Sequence, residues 1–410
     1  MIKLPAWLIR AWTATEPVRR WVMTVLRSVT GPGWAVVALT VLAWVAAWKL
    51  GWVEAAVLAV FGLVTLVIAA LFTIGRTHVE VTLTLSPERV RVGQSAIAGF
   101  EMTNTGTRRQ ASVSVRLPVG VSSAHYTAPA LAPGETYDDW VTIPAARRGV
   151  VPVGPVTTYR SDPWSLVRRE VGWTDVKELF IHPEVVPLDE IGTGLLRDLE
   201  GLSTLDVSNS DLAFHALRDY VPGDDQRYIH WKSSARLSAV AGEDRFMVRQ
   251  FLDTRKSHLA VVSDLNAGHF ASDDEFEVAL SAAASLVVRT ILDEMDLTVL
   301  CGNHVVLLPT GNYALDPYSR AAMGTTGLQQ EFERVSRVAP GASLAVVVTG
   351  AGTDFADLQR GRATVPYNVR LLVIRVVLGA AITLRTTGGF AELTIGGLAD
   401  LPRALRGGLS

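Results

Sequence analysis

Two long apolar runs dominate the N-terminal part of the chain, Trp34–Trp48 and Ala55–Gly75, and Lys49 and Glu54 are the only charges between them. A helix of about 20 apolar residues crosses the hydrocarbon core of a bilayer. The second run has this length, and the first reaches it with the apolar residues that follow Lys49. The pattern predicts a transmembrane helical hairpin over residues 34–75 with a very short connection.

The segment before the hairpin, residues 1–33, is basic and amphipathic, and its cations are Lys3, Arg10, Arg19, Arg20 and Arg27. Arg76 follows the second run, whereas the connection carries Lys49 alone. Because basic residues beside membrane spans stay on the cytoplasmic side, we expect a two-pass protein of the cell membrane. Its N-terminus and everything after residue 75 are expected in the cytoplasm.

Tryptophan is concentrated around the same region, since seven of the 11 tryptophans precede Val53. Amphipathic aromatic rings favour the headgroup zone of a bilayer. Residues 17–29 have apolar positions at helical spacing opposite Arg19, Arg20 and Arg27. This spacing predicts a helix that lies on the inner leaflet, in contact with the lipid bilayer.

Beyond the hairpin, apolar and polar residues alternate with the period of a half-buried strand. The alternation occurs at residues 79–85, 97–102, 113–117 and 140–143. Turn formers such as Pro133-Gly134 separate these stretches. Short alternating strands at this spacing predict an all-β, immunoglobulin-like sandwich over residues 77–186.

Strand and helix patterns alternate in the last part of the chain, residues 257–410. We predict strands at Leu259–Ser263, Leu297–Cys301, Val305–Leu308, Leu344–Val348 and Val369–Val377, and helices at Phe276–Leu292 and from Gly324-Thr325-Thr326 to about Val338. This order predicts an α/β domain of the Rossmann type, with a mostly parallel sheet covered on both faces. Residues 187–216 are rich in Gly, Ser and Asp and are expected to be a linker or a mobile loop.

The segment between the linker and the α/β domain, residues 217–256, has the densest group of charged and aromatic residues; we call it the signature block. Its candidate functional residues are Arg218, Asp219, Tyr220, Pro222, Gly223, Asp224, Asp225, Arg227, His230, Trp231, Lys232 and Arg236. Pro222-Gly223 predicts a turn. The residues from Arg227 onward follow neither the strand nor the helix period, so a short strand and a helical turn both remain possible.

Three interpretations of the signature block stay open. Arg218, Arg227 and Arg236 can pair with its carboxylates in a buried ion-pair lattice, with Trp231 and Lys232 nearer the surface. The same residues can form an exposed surface for a protein partner. They can also form a catalytic centre in which Asp224, Asp225 and His230 serve a metal-assisted hydrolase, although ion-pair networks often imitate active sites.

The signature block resembles the bacterial domain-of-unknown-function-58 family. That family's signature is Arg-x-Tyr-x-Pro-Gly-Asp-Asp-x-Arg-x-Ile-x-Trp-Lys, and every fixed position matches between Arg218 and Lys232. A second resemblance covers Asp162-Pro163-Trp164-Ser165-Leu166, where Ser165 replaces the usual Gly. The resemblance implies a membrane-anchored protein with a von Willebrand factor A-like C-terminal domain. It also implies two partners, a MoxR-type AAA+ ATPase and a transglutaminase-like membrane protein.

The resemblance to a von Willebrand factor A domain implies an ion site at the carboxyl edge of the sheet. Such sites hold Mg²⁺ or Mn²⁺ through an Asp-x-Ser-x-Ser loop, a Thr and a distal Asp. Here Asp264, Asn266 and Thr325 stand at suitable positions, but Gly268 lacks a ligand atom and Thr349 stands where the distal Asp is expected. We therefore expect a degenerate metal site and no resident cofactor.

Composition narrows the possible functions. A formal net charge of −2 gives no general attraction to nucleic acid, and the single Cys301 excludes an intrachain disulfide. The chain lacks phosphate-loop, zinc-protease and serine-hydrolase motifs. The expected function is a non-enzymatic adaptor or scaffold at the membrane, acting with the ATPase in protein assembly or cell-envelope processes. The metal-assisted hydrolase is the alternative.

Overall fold

The computed structural model describes residues 28–73, 78–189, 207–208, 214–222, 224–241, 246–252, 258–309 and 311–407. The chain forms two compact units, Met1–Ile181 and His182–Ser410. Residues 1–27, which include most of the basic segment and of the predicted inner-leaflet helix, lie outside the described residues.

The first unit begins with two apolar helices, α1 (Gly31–Leu50) and α2 (Val53–Thr73), that pack against each other. Helix α1 starts three residues before the predicted position, because the Thr30 hydroxyl accepts a hydrogen bond from the Gly33 amide and caps the first turn. Gly51 ends the helix with a φ of 68°, in the left-handed region that glycine tolerates. Both helices are long and apolar enough to span a membrane, which suggests membrane association.

The start of α1 is hydrogen-bonded to a loop of the β-rich region. The Thr30 hydroxyl donates to the carbonyl oxygens of Ser165 and Leu166 at 2.6 and 3.0 Å. Ser165 has a φ of 55°, in the left-handed region that glycine adopts more readily than serine. The start of α1 therefore adjoins the β-rich region.

Ten strands follow the hairpin: β1 (Val79–Ser86), β2 (Arg89–Arg91), β3 (Ser95–Asn104), β4 (Val113–Val119), β5 (Ser122–Ala128), β6 (Thr136–Pro144), β7 (Gly149–Val153), β8 (Thr157–Ser161), β9 (Arg168–Gly172) and β10 (Lys177–His182). One sheet has the order β1-β3-β6, and the other has β2-β10-β7-β4-β8-β9 with β5 beside β4. Strand β1 buries alternate residues, and its inward side chains share one core with Phe100 and Leu117. The predicted β-rich region is confirmed.

The second unit contains a small three-stranded sheet, and the signature block contributes part of this sheet together with a turn and a helix. The elements of this region are β11 (Val207–Ser208), β12 (Phe214–Asp219), a 3₁₀ turn (Gln226–Tyr228), α3 (Trp231–Ala241) and β13 (Met247–Leu252). The strand order is β11-β13-β12. Two parts of the predicted linker are therefore strands, and Leu188 is buried in the core of the α/β region.

The rest of the second unit alternates strands and helices: β14 (His258–Ser263), α4 (Asp273–Leu292), β15 (Asp296–Cys301), β16 (His304–Leu307), α5 (Asp316–Arg320), α6 (Leu328–Val338), β17 (Leu344–Thr349), α7 (Phe355–Thr364), β18 (Arg370–Val376), β19 (Thr383–Thr387), β20 (Phe390–Ile395) and α8 (Leu401–Gly407). The sheet order is β16-β15-β14-β17-β18-β20-β19, and only the two edge strands are antiparallel to their neighbours.

Helices cover both faces of this sheet, as predicted for a mostly parallel sheet. Along β14, Leu259 and Val261 belong to the core beneath α4, whereas Ala260 and Val262 belong to the core beneath α6 and α7. Helix α6 begins at Leu328, so the prediction that Gly324-Thr325-Thr326 opens this helix was wrong. Thr325 lies in the preceding loop and is exposed.

Candidate functional site

The turn of the signature block is fixed by one bidentate ion pair. The two terminal nitrogens of Arg218 donate to the two carboxylate oxygens of Asp224 at 2.7 and 2.6 Å. The Val221 amide donates to the same carboxylate at 2.9 Å. The Arg218 guanidinium and then this amide hold the pKa of Asp224 below its ordinary value. Arg218, at the end of β12, thereby ties the turn to the small sheet.

The rest of the predicted lattice does not form. Asp225 caps the 3₁₀ turn by accepting the Arg227 amide at 3.0 Å, and this turn directs the Arg227 side chain outward. Arg227 and Arg236 are exposed, and their side chains form no ion pair with any part of the chain that the structure describes. The prediction of a buried lattice was therefore wrong: Arg218 and Asp224 do pair, but both are only partly buried. Trp231 and Lys232 are exposed as predicted.

Helix α3 is joined to β13 through its first turn. The His230 amide donates to the Met247 carbonyl at 2.7 Å, and the Met247 amide donates to the Ser234 hydroxyl at 2.8 Å. The His230 Nδ1 atom lies 2.8 Å from the Ser233 hydroxyl, within the same turn. Ser234 is buried, so one side of α3 is held against the sheet and the opposite side faces solvent.

The solvent-facing side of α3 carries an aromatic cluster. Trp231 is 64% exposed and Phe246 is 40% exposed. Their ring centroids are 5.9 Å apart at an interplanar angle of 80°, and Tyr220 packs edge-on against Phe246 at 6.3 Å. Such edge-to-face contacts fix the orientation of the rings. The neighbouring Val221 is 57% exposed, which extends the apolar surface.

Two cations lie beside this cluster on the same helix face. Residues Trp231, Ala235 and Ala239 form one row at intervals of four, and Lys232 and Arg236 form the adjacent row. All five are exposed. We call these five residues the α3 face. No acidic residue occurs between Trp231 and Ala241, so the α3 face is positively charged and apolar at once.

The three residues of the alternative hydrolase do not act on a common point. Asp224 is bound to Arg218, Asp225 caps the 3₁₀ turn, and His230 contacts Ser233. The described residues contain no group of three or more His, Cys, Asp or Glu side chains that could hold a metal ion. This geometry gives the hydrolase no support.

The predicted ion-site loop contains a compact hydrogen-bonded cluster. Asp264 follows β14 and is buried. Its Oδ2 atom accepts the Thr349 hydroxyl at 2.6 Å and lies 2.6 Å from His269 Nδ1, while its Oδ1 atom accepts the Asn266 amide at 2.9 Å. The hydrogen bond to Asp264 raises the pKa of His269, against the opposing effect of burial.

These contacts occupy the groups that would bind a metal. The Asn266 side-chain oxygen accepts the Gly268 amide at 3.0 Å, and the Asp264 carboxylate is already shared by Thr349, His269 and a backbone amide. A divalent cation would have to displace His269 from the carboxylate. The residues present therefore do not fit a Mg²⁺ or Mn²⁺ centre.

Several participating residues were not predicted from the sequence. Phe246, the residue before β13, completes the aromatic cluster, and Ala235 and Ala239 complete the α3 face. Helical spacing of four from Trp231 could have identified the two alanines. His269 and Thr349 were not predicted as partners of Asp264. Thr349 is the last residue of β17 and His269 lies in the loop after β14, so both lie at the edge of the sheet where such loops meet.

Comparison with known proteins finds a family match over part of the chain. Residues 216–389 match the family described as protein of unknown function DUF58. The resemblance to the domain-of-unknown-function-58 family is thereby confirmed over a segment that includes the whole signature block and most of the α/β region. No curated protein matches the chain.

Three solved structures are similar to short parts of the chain. A CARDB domain from Pyrococcus furiosus, solved in complex with di-metal ions, is 14% identical with a TM-score of 0.20, over 26% of this chain and 97% of that one. The putative ApaA protein from Bordetella pertussis is 20% identical with a TM-score of 0.19, over 25% and 91%. A β-glucosidase from Listeria innocua is 16% identical with a TM-score of 0.18, over 27% and 17%. Scores this low carry no functional argument.

The local role of the ion pair can be measured by exchange of the Val221 amide. Arg218→Ala should speed hydrogen–deuterium exchange in the peptide that contains Val221, because Asp224 loses the guanidinium that positions its carboxylate. Arg227→Ala should leave this exchange unchanged, since only the backbone of Arg227 contacts Asp225. Equal acceleration in the two variants would contradict the separate roles assigned to these arginines.

Proposed function

We propose that the protein is a membrane-anchored scaffold whose signature block binds a protein partner. The observation that carries the proposal is the α3 face, where Trp231 remains 64% exposed and oriented by Phe246 inside the family signature. A large apolar side chain held at the surface loses little conformational freedom on binding. Tryptophan and arginine are also enriched among the residues that dominate interface energies.

We further propose that the partner is a MoxR-type AAA+ ATPase, as the family resemblance implies, and that a transglutaminase-like membrane protein belongs to the same assembly. The scaffold would serve protein assembly or processes of the cell envelope. The dispersed positions of Asp224, Asp225 and His230 favour this function over the metal-assisted hydrolase.

The proposed location is the cell membrane, with both hairpin ends and the two folded units in the cytoplasm. The hydrogen bonds from Thr30 to Ser165 and Leu166 support the placement of the start of α1 and the β-rich region on the same side of the membrane. The basic residues before the hairpin favour the cytoplasmic side.

The partner-binding role predicts a large effect of Trp231→Ala. We expect this variant to lose co-purification of the ATPase from detergent-solubilised membranes, because truncation of a central interface residue costs about 2 kcal/mol or more, roughly a 30-fold loss of affinity. The melting temperature should stay close to that of the parent. Trp164→Ala, at an exposed tryptophan of the first unit, is the matched control. Full retention of the ATPase by Trp231→Ala would refute the proposed surface.

The proposed topology predicts protection from external protease. In intact bacterial spheroplasts that express the chain, added protease should leave everything after residue 75 uncut. The same protease should digest these units once the membrane is permeabilised. Cleavage of the β-rich region in intact spheroplasts would overturn the cytoplasmic location and the ATPase partner with it.

A further inference from the structure

The α3 face has two parallel rows with different chemistry. The first row is apolar and consists of one large side chain, Trp231, followed by two small ones, Ala235 and Ala239. The second row, Lys232 and Arg236, is basic. Rows at intervals of four residues form the ridges and grooves by which helices pack against each other. The two alanines leave a shallow strip into which side chains of another helix can insert.

Among the described residues, the two cations of this face have no acidic partner. Lys232 and Arg236 are exposed, and within the part of the chain that the structure describes neither side chain forms an ion pair. Helix α3 has no acidic residue of its own, and in the described part of the block the exposed carboxylates, Asp219 and Asp225, precede the helix. Acidic side chains of a partner would meet two exposed cations that pair with no described carboxylate, and such charge complementarity speeds encounter and fixes the register of binding.

We propose that the α3 face binds an acidic amphipathic helix of the partner, with apolar side chains over the Trp231–Ala239 row and Asp or Glu at an interval of four facing Lys232 and Arg236. This inference rests on the proposed scaffold function and specifies the partner segment. Helices that dock in this way present anchors at positions i, i+3, i+4 and i+7. An interval of four on the partner matches the interval between Lys232 and Arg236.

Tryptophan beside lysine and arginine also occurs on helices that lie on anionic lipid. The α3 face differs from such helices because its own apolar row has one large ring and two alanines; Phe246 and Val221 widen the apolar surface only beside Trp231. A helix of complementary charge fits this narrow strip better than a lipid surface. An anionic membrane is the competing occupant, and the experiment below separates the two.

The test uses the full chain in nanodiscs of neutral phosphatidylcholine. A phage library of single-helix peptides with randomised surface positions is selected on the parent protein and, separately, on the Lys232→Glu/Arg236→Glu double variant. We expect the parent to enrich helices with Asp or Glu four residues apart beside an apolar row, and the double variant to enrich Lys or Arg at these positions. The same sequences from both selections, or no acidic preference, would overturn the proposal.

Affinity measurements with the best enriched peptide complete the test. Fluorescence anisotropy should show a Kd at least tenfold higher for the double variant than for the parent at low salt. For Trp231→Ala the Kd should be at least tenfold higher at every salt concentration. Arg337→Glu, a reversal of an exposed cation on α6, should change the Kd less than twofold. If nanodiscs with anionic phosphatidylglycerol abolish peptide binding at every salt concentration, the occupant is the membrane and the proposal falls.

Failure of this inference is distinguishable from failure of the scaffold function. If Trp231→Ala loses the ATPase but the selected helices are not acidic, only the acidic helix is wrong. If the ATPase is retained by Trp231→Ala and by the double variant, the scaffold surface itself is wrong.

Discussion

Gly350→Ala should severely destabilise the α/β region. A Cβ atom at this position would lie 2.3 Å from the His269 carbonyl oxygen and 2.6 Å from both the Glu275 carboxylate and the Phe270 ring. The nearest of these atoms is backbone, so a side-chain rotation cannot relieve the contact. Overpacking of this kind costs about 3 kcal/mol, which corresponds to roughly 6–12 °C in melting temperature for a region of this size.

The matched control is Gly341→Ala, because a Cβ atom there has nothing within 4 Å. This variant should melt at the parent temperature or slightly higher, since alanine reduces the freedom of the unfolded chain. Thermal unfolding of the two detergent-solubilised variants decides the point. A Gly350→Ala variant as stable as Gly341→Ala would contradict the close packing of the loop after β17 against the loop after β14.

Asp264→Ala should have a comparable effect, and the effect should depend on pH. The substitution removes the acceptor shared by Thr349, His269 and the Asn266 amide. Loss of one member of a buried ionic cluster costs about 3–5 kcal/mol. Asp264→Asn keeps the size of the side chain and one acceptor oxygen, so this variant should lose less stability than Asp264→Ala.

The direction of the pH dependence follows from His269. Its pKa is raised in the folded protein by the hydrogen bond to Asp264. The resulting stabilisation is therefore complete below the ordinary histidine pKa of about 6.5 and is lost as pH rises through the higher folded value. The difference in melting temperature between the parent and Asp264→Ala should be larger at pH 6 than at pH 9. An equal difference at both pH values would contradict the charged pairing of Asp264 and His269.

The periodic parts of the fold could be predicted from the sequence because one physical demand dominates each of them. The hairpin follows from apolar length, and β1 follows from the alternation of its buried residues. Helix α7 and strands β19 and β20 were not predicted. Strand β19 is an edge strand whose side chains are largely exposed, so burial leaves little pattern in its sequence.

The signature block was harder because two short elements meet within it. The 3₁₀ turn ends at Tyr228 and α3 begins at Trp231, so a single period cannot describe the sequence across both. Residue types alone also could not decide which charges pair. Arg218 faces Asp224 across the turn, whereas the 3₁₀ turn exposes Arg227. Which arginine reaches a carboxylate depends on the course of the backbone, and the residue types do not specify that course.

The cluster around Asp264 illustrates a different limit. Asp264 and Thr349 are 85 residues apart in the chain and become neighbours through the pairing of β14 with β17. The sequence placed Asp264 at a strand end, but Thr349 was judged only by its difference from an expected metal ligand. A hydroxyl and an imidazole that satisfy the carboxylate directly could be recognised only after the strand order was known.

The most direct test of the scaffold account is photo-crosslinking in living cells from the α3 face. A benzoylphenylalanine residue at Ala235 should crosslink to the ATPase, and the crosslink should disappear when Trp231 is replaced by alanine. The same probe at Ala356, an exposed residue of α7, should give no such product. Crosslinks from Ala235 to lipid alone, or equal crosslinking to the ATPase from both positions, would contradict the account.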